Sequence, residues 1–250
     1  MRLEHVTDDL GKPVGMPVTN FEPARLPLRT GSYAGLYCRL EPLAPRHASD
    51  LWECFSDDEQ GKVWTYLHAG PFTDEHGFSA WIGQLCTLEV LYLYAIIDSS
   101  TERAVGFASY LRVDPNASSI EVGWVTFSPR LQRSRIATDA MFVMMREAFA
   151  MGYRRYEWKC NALNAPSIAA AHRLGFSFDG VFRNALVVKD RNRDTAWFSV
   201  IDRDWPALES AFRQWLAPEN FDESSRQRSR LSDLTSAYVE SRWPVLHIEL

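Results

Sequence analysis

The sequence predicts a mixed α/β domain of the α+β class, with a central sheet flanked by helices. Three apolar or alternating segments typical of strands lie in the middle of the chain, at 91–97, 104–113 and 119–127. The turn DPNAS joins the last two, which indicates an antiparallel hairpin. Segments with helical periodicity lie on both sides of this group, and a hydrophobic fraction of 46% over 250 residues is ample for a packed core.

Before the central strands, the chain predicts an arm, one strand and two helices. Residues 1–34 contain four prolines between positions 13 and 27, so they are expected to wrap the surface as an N-terminal arm. A strand is expected over 35–43, helices over 45–55 and 74–86, and an aromatic loop over 61–72.

After the central strands, helices alternate with short strands. A helix is expected from Ser134 to about Met151, where Gly152 stops it, and a second helix over 164–174 ends before Gly175. The remaining predicted elements are a strand over 155–160, a hairpin of 181–188 and 196–201 around the charged turn KDRNRD, and a helix over 204–216. Residues 217–250 form a C-terminal extension that is expected to pack late or to contact another chain.

The composition excludes several classes of function. A formal charge of −5 argues against nonspecific nucleic-acid binding, and no apolar run approaches the roughly 18 residues of a membrane span. The charged start MRLEHVTDDL is unlike a signal peptide, so a cytoplasmic location is expected. The four cysteines lack metal-ligand spacing, so we expect buried free thiols and no metal; His172 is expected to be a structural or a surface histidine.

An arginine-rich turn, PRLQRSRIATDAM at 129–141, predicts an anion site. A strand that ends at Phe127, followed by a Ser-Pro turn and a helix from Ser134, exposes unpaired N–H groups at the positive end of a helix dipole. Arg130, Arg133 and Arg135 add charged donors, which suit a pyrophosphate. The alternative is a solvated helix start whose arginines extend into water.

Two motifs resemble those of the GNAT acetyltransferases. LQRSRIATDAM resembles their acyl-CoA pyrophosphate loop, Q/RxxGxG/A: Gln132 and Ala137 match its ends, whereas Arg135 replaces a glycine. Because a residue in helical conformation needs no positive φ, arginine is tolerable there. WKCNALNAPSIAAAHRLGF at 158–176 resembles the NxxNxxS and A-x-R-L-G-F motifs of the RimJ/RimL branch, with matches at Asn161, Asn164, Ser167, Arg173, Leu174, Gly175 and Phe176.

The resemblance covers residues 35–216 and implies a coenzyme site. In this family a mostly antiparallel sheet splays open, here between the strand of Glu121 and the strand of Trp158, and acetyl-CoA is the cosubstrate. The backbone of Trp124, Val125 and Thr126 would pair with the pantetheine arm. The predicted coenzyme-binding residues are Trp124, Val125, Thr126, Gln132, Arg133, Ser134, Arg135, Ile136, Ala137, Thr138, Asn161, Asn164 and Arg173.

Two residues are candidates for catalysis. Glu121 is the single carboxylate of its strand and lies eleven residues before Gln132, as does the glutamate base of histone-type members, so it is the candidate general base. The alternatives are that Glu121 is an exposed edge charge and that His68 or water is the base. Ser167 would assist the departing thiolate, or else merely support a helix cap, and a Val125 or Thr126 N–H would polarise the thioester carbonyl.

These features predict an acetyl-CoA-dependent N-acetyltransferase acting on a primary amine, either a peptide or protein N-terminus or a small molecule. The alternatives are a xenobiotic-detoxifying acetyltransferase and a noncatalytic acyl-CoA sensor. The acceptor pocket is expected from Trp64, Tyr66, His68 and Phe72 and from the hairpin at 182–194, although aromatic residues equally suit core packing. Whether the chain forms a homodimer is left open.

Overall fold

The computed structural model describes residues 4–244 and confirms the predicted fold class. An eight-stranded sheet in the order β3-β4-β5-β6-β7-β8-β10-β9 is flanked by helices, and β1 and β2 form a separate hairpin. The strands are β1 His5–Thr7, β2 Pro13–Gly15, β3 Tyr33–Ala34, β4 Cys38–Pro42, β5 Tyr92–Asp98, β6 Arg103–Asp114, β7 Ser119–Phe127, β8 Arg155–Asn161, β9 Ser177–Val188 and β10 Arg191–Ile201. The helices are α1 Ala48–Phe55, α2 Glu75–Leu85, α3 Arg135–Ala150, α4 Ala165–Arg173, α5 Trp205–Leu216 and α6 Leu231–Thr235.

The sheet opens between β7 and β8, as expected. These two strands are parallel, whereas the other strand pairs of the sheet are antiparallel. Their pairing runs from Ser119 opposite Arg155 to Val122 opposite Trp158 and then stops. The remaining half of β7 therefore pairs only with β6 and presents its other edge to a cleft.

A β-bulge accompanies this opening. Gly123 is opposite Ser109, but Thr126 is opposite Phe107, so β7 uses one residue more than β6 over this stretch. Trp124 lies in the bulge with a φ of 50°, a left-handed conformation that costs a non-glycine residue roughly 1 kcal/mol. Because a bulge bends its strand and redirects backbone groups, it turns β7 away from β8 where the cleft begins.

Apolar side chains cover both faces of the sheet. On one face, α3 packs against α5 through Phe142, whose ring stacks on Phe212. On the other face, α1 and α2 bury Phe55 and Phe78 against Trp64 and the strands. The two cores hold the strands on either side of the cleft in fixed positions.

Several features of the structure differ from expectation. The turn between β9 and β10 consists only of Lys189 and Asp190, both with positive φ, so 191–194 belong to β10 rather than to a six-residue loop. β4 begins at Cys38, because residues 35–38 form a turn closed by the Gly35 N–H on the Cys38 carbonyl. The cysteines are free and three are buried, but Cys86 is exposed near the end of α2.

The terminal segments pack on the domain. The Arg25 N–H donates to the Met151 carbonyl, which ties the N-terminal segment to the end of α3. The side-chain amide of Asn220 donates to the Trp215 carbonyl, so the chain after α5 folds back on it. The apolar end VLHIEL, at 245–250, lies outside the described residues. His172 is structural, since its ring nitrogen accepts the Trp243 N–H. Within 4–244, no helix combines the length and apolarity needed to cross a bilayer.

Candidate active site

A cleft of about 1620 Å³ passes through the opening between β7 and β8. Thirteen of the fifteen predicted site residues line it: Glu121, Trp124, Val125, Gln132, Arg133, Ser134, Arg135, Ala137, Thr138, Asn161, Asn164, Ser167 and Arg173. The two exceptions are Thr126, whose buried hydroxyl donates to the Trp124 carbonyl, and Ile136, which packs against the core. The cleft is larger than a typical small-ligand pocket, so it has room for a long cofactor and a second substrate.

The N-terminus of α3 opens into one end of this cleft. Ser134 is the N-cap: its Oγ accepts the Ala137 N–H at 3.0 Å and donates to the Leu131 carbonyl at 2.6 Å. The first turn of a helix leaves several N–H groups without intrahelical acceptors, and the cap satisfies one of them. Gln132 steadies the preceding loop by donating its amide to the Phe127 carbonyl. Helix termini that expose N–H groups in this way are common anion-binding positions in proteins.

The three arginines of the turn have different roles. Arg130 was expected at the anion site, but its guanidinium forms ion pairs with Glu53 and Asp57 at the end of α1, so that expectation was wrong. Arg133 and Arg135 do line the cleft. Arg133 has a left-handed backbone conformation, with a φ of 59°. Arg135 is the first residue of α3, so its backbone is helical and needs no positive φ, which is why arginine is tolerated there.

Besides Arg133 and Arg135, Arg173 at the end of α4 also reaches the N-terminus of α3. Its Nη2 donates to the Thr138 hydroxyl at 2.9 Å, and its guanidinium lies 5.1 Å from the Trp215 ring centroid. Burial lowers the pKa of Arg173. Within residues 4–244, no carboxylate lies within 4.0 Å of Arg133, Arg135 or Arg173. Three cations without counter-charges therefore surround the helix terminus, a suitable environment for a multiply charged anion.

The segment after β8 positions Ser167 at the middle of the cleft. Asn164 caps α4 by accepting the Ser167 N–H at 3.2 Å, and Asn161 accepts the Leu163 N–H at 2.9 Å. The Ser167 Oγ accepts the indole N–H of Trp158 at 3.1 Å. Burial raises the pKa of Cys160 to about 11 despite a hydrogen bond from Ser167. The two asparagines thus fix the local backbone, and the serine hydroxyl donates toward a sulfur atom, that of Cys160.

Glu121 is buried and ion-paired. Its Oε2 lies 2.5 Å from Lys159 Nζ and 3.4 Å from Arg112 Nε, so the alternative of an exposed edge charge was wrong. Burial raises the pKa of Glu121, and the attraction of Lys159 opposes this rise. A carboxylate whose pKa is raised is a stronger base than an exposed one, but here two cations compete for it.

The opposite wall of the cleft comes from the loop after α1. Tyr66 and His68 line the cleft, whereas Trp64 and Phe72 pack in the aromatic core with Phe78. The His68 ring lies 5.9 Å from the Trp124 ring, and burial, with Arg193 and Lys189 nearby, lowers its pKa. His68 is therefore neutral at neutral pH, in a form able to accept a proton.

Several lining residues escape sequence reasoning. Lys159 and Arg193 reach the cleft from β8 and β10, and Leu111 from β6; Trp215, Phe221, Ser225, Arg226 and Gln227 reach its far end from α5 and the chain after it. Strict alternation in RYEWKC could have placed Lys159 on one face with Glu157. The residues after α5 carry no such signal, because only the tertiary fold brings them to the cleft. Within the described chain, no group of three potential metal ligands occurs.

Comparisons with known proteins agree with this geometry. Residues 38–177 match a family model described as an acetyltransferase (GNAT) domain. A GCN5-related N-acetyltransferase from Brucella melitensis is 39% identical with a TM-score of 0.84, covering 88% of this chain and 100% of that one. A probable GNAT-family acetyltransferase from Chromobacterium violaceum is 38% identical with a TM-score of 0.72, covering 78% and 98%. The Microcin C7 self-immunity acetyltransferase MccE, solved with acetyl-CoA and AMP, is 20% identical with a TM-score of 0.56, covering 66% and 93%, and shares the fold. A comparison with curated proteins gave no match.

Proposed function

The chain belongs to the GNAT acetyltransferase family, and from this premise we propose that it transfers the acetyl group of acetyl-CoA to a primary amine. The amine attacks the thioester directly, without an acetylated enzyme intermediate. The observation that carries this proposal is the open edge of β7 between a phosphate-type site at α3 and the pair Glu121 and Ser167. A single extended cofactor can occupy all three positions.

The coenzyme binds with its diphosphate on the N-terminus of α3. The exposed N–H groups behind Ser134 and the guanidinium groups of Arg133, Arg135 and Arg173 act on the same anion. The pantetheine arm follows the β7 edge at Trp124 and Val125, where the strand lacks a partner on the cleft side. This path brings the thioester to the bulge.

The acceptor amine must lose a proton before it attacks. An α-amino group has a pKa of about 8 and a lysine about 10.4, so deprotonating lysine at neutral pH costs roughly 3 kcal/mol more. Glu121 takes the proton through water, since Lys159 and Arg112 occupy its direct contacts. His68, which is neutral and lines the same cleft, is the alternative base. The part of the cleft lined by His68, Glu121, Lys159 and Arg193 is called the acceptor chamber below.

Acyl transfer then forms the C–N bond and breaks the C–S bond. The Val125 N–H polarises the thioester carbonyl as negative charge develops on its oxygen. Ser167 donates a hydrogen bond that stabilises the departing thiolate, and the proton that the amine gave to Glu121 returns through water to the sulfur, so that the base is regenerated. The indole N–H of Trp158 already occupies a lone pair on Ser167 Oγ, which directs the hydroxyl proton toward an acceptor such as sulfur.

The acceptor belongs to the class served by the RimJ/RimL branch, an α-amino group or a small amine. The support is the motif at 158–176, in which Asn161, Asn164, Ser167 and Arg173 all lie on the cleft. A detoxifying acetyltransferase for one xenobiotic uses the same chemistry and differs only in the acceptor. A noncatalytic acyl-CoA sensor would keep the phosphate site and lack turnover.

The test is release of CoA from acetyl-CoA in the presence of a broad panel of small amines and peptide N-termini. Ser167→Ala is expected to lower kcat about 10- to 100-fold with little change in coenzyme affinity, and Glu121→Gln to change the pH profile. Ser232→Ala, at an exposed site, is the matched control. Tight coenzyme binding with no turnover by wild type or either variant on every amine would instead establish a sensor.

A further inference from the structure

A charged side chain with no function in the mechanism above, Arg193, enters the cleft from β10. It lies where the register between β10 and β9 shifts, between Arg193 and Thr195, and it lines the cleft opposite the coenzyme end. Its Nη1 lies 3.5 Å from His68 Nε2, a long contact to a neutral ring. Its Nε is buried and lacks a hydrogen-bond partner within the described residues.

The surroundings of Arg193 are positively charged. Arg112 and Lys159 both approach Glu121, and the charge of Glu121 also acts on Arg193, so three cations share this carboxylate. Lys189 adds a fourth positive group, which donates to the Trp64 and Gly70 carbonyls at 2.8 Å. Within residues 4–244, no carboxylate lies within 4.0 Å of Arg193.

Such an arrangement is costly for the protein alone. Arg193 is half-buried, and no carboxylate of the described residues contacts its guanidinium group. Its Nε, which is buried, loses hydration that no group in the described residues replaces, and burial lowers the pKa of Arg193. A ligand that supplies an anion at this point removes the cost. The planar fork of arginine suits a carboxylate or a phosphate.

Fixed contacts also hold the loop that lines this part of the cleft. The Tyr66 hydroxyl donates to the Leu163 carbonyl at 3.0 Å, which connects the loop after α1 to the segment before α4. Lys189 holds the same loop from the hairpin tip. Because both edges of the loop are held, His68 keeps a fixed position beside Arg193, so an acceptor whose anionic group and amine lie close together fits between them and Glu121.

We propose that Arg193 binds an anionic group of the acceptor, so that the substrate is a small primary amine carrying a carboxylate or a phosphate. This inference rests on the proposed function, because it assigns the chamber to the acceptor. The amine lies beside Glu121 and His68 and faces the thioester, while its anion contacts the Arg193 guanidinium. Lys159 stays paired with Glu121 and does not compete for the anion.

The experiment measures binding to the CoA-loaded protein by calorimetry, so that it does not depend on turnover. The probes are para-aminomethylbenzoate and its carboxamide, which carry the same benzylic amine and differ in one negative charge. The second pair is aminoethylphosphonate and ethanolamine, which share an aminoethyl group and carry a phosphonate and a neutral hydroxyl, respectively. Wild type is expected to bind the anionic member of at least one pair about 10- to 100-fold more tightly, and the preferred pair identifies the anion.

Arg193→Gln is expected to reduce that affinity ratio toward one, since glutamine keeps polar atoms but not the charge. Arg230→Gln, at an exposed position that does not line the cleft, is the control and is expected to keep the wild-type ratio. Equal binding of both members of both pairs by wild type would overturn the inference. An equal loss for charged and neutral probes in Arg193→Gln would also overturn it.

These binding measurements, taken together with the CoA-release assay, separate this inference from the proposed function. An anion preference that depends on Arg193, without acetylation of any amine, supports the anion subsite and contradicts acetyl transfer. Acetylation of charged and neutral amines with equal efficiency, and no binding preference, supports acetyl transfer and contradicts the subsite. A folding defect in Arg193→Gln leaves the wild-type comparison of the two pairs decisive.

Discussion

Replacing Arg173 with methionine is expected to change coenzyme binding and stability in opposite directions. Methionine keeps an apolar chain of similar reach on the Trp215 ring but removes the charge and the hydrogen bond to Thr138. Burial lowers the pKa of Arg173, which means that this site disfavours the charge unless an anion is present. Within residues 4–244 of the free protein, the charge contacts only the Thr138 hydroxyl and the Trp215 ring, so we expect its main contribution when the coenzyme is bound.

The magnitude follows from the interaction lost. A hydrogen bond to a charged group contributes about 1.5 to 3 kcal/mol, so Arg173→Met should raise the Kd for CoA about 10- to 150-fold. Unfolding of the free protein by urea should give a stability equal to or above that of wild type, because no uncompensated cation remains to be buried. Calorimetry with CoA and with dephospho-CoA then shows which phosphate Arg173 contacts.

Arg191→Met, at an exposed position of β10, is the matched control and should change neither quantity. Coenzyme affinity within twofold of wild type for Arg173→Met would refute the phosphate assignment. A loss of affinity that merely followed a loss of folding stability would refute it as well, because the substitution would then act through the fold.

Two further predictions concern stability. Ser134→Ala removes the cap of α3 and should lower the free energy of unfolding by about 1 kcal/mol in urea, whereas Ser134→Gly should cost only a few tenths; equal values for both would contradict the cap. Burial opposes ionisation of Glu41, but hydrogen bonds from Arg46 and His47 outweigh it and hold its pKa at about 2. Since the folded-state pKa lies below the unfolded value, this stabilisation is present above about pH 4.5 and is lost as the pH falls toward about 2. Glu41→Gln should therefore destabilise the protein by about 1 kcal/mol at neutral pH, with a difference in Tm that shrinks on acidification, and a constant difference would contradict the assignment.

The sequence predicts most elements of this fold because the local signals are strong. Ser134 caps α3, and Gly175 ends α4 with a φ of 91°, as the residue types indicate. The hairpin of β9 and β10 was placed less well. Its charged segment resembles a loop, but Lys189 and Asp190 alone make the turn, and the flanking polar residues lie on strands that face solvent or the cleft.

The candidate site divides in the same way. The coenzyme half is contiguous enough to be predicted, since Gln132 to Thr138 form one loop and helix terminus and Asn161 to Arg173 form the next. The acceptor half depends on distant segments. His68 meets Arg193 across 125 positions. The coenzyme half also includes a contact of this kind, because Phe221 reaches Arg135 only where the chain after α5 folds back. No periodicity or spacing in the sequence encodes such contacts.

The hydrogen bonds from Lys189 to the Trp64 and Gly70 carbonyls fix the hairpin tip directly against the aromatic loop. Neither segment belongs to α3, where we propose that the nucleotide binds. Substitutions in the two segments are therefore expected to alter the proposed acceptor site while the proposed coenzyme site stays in place.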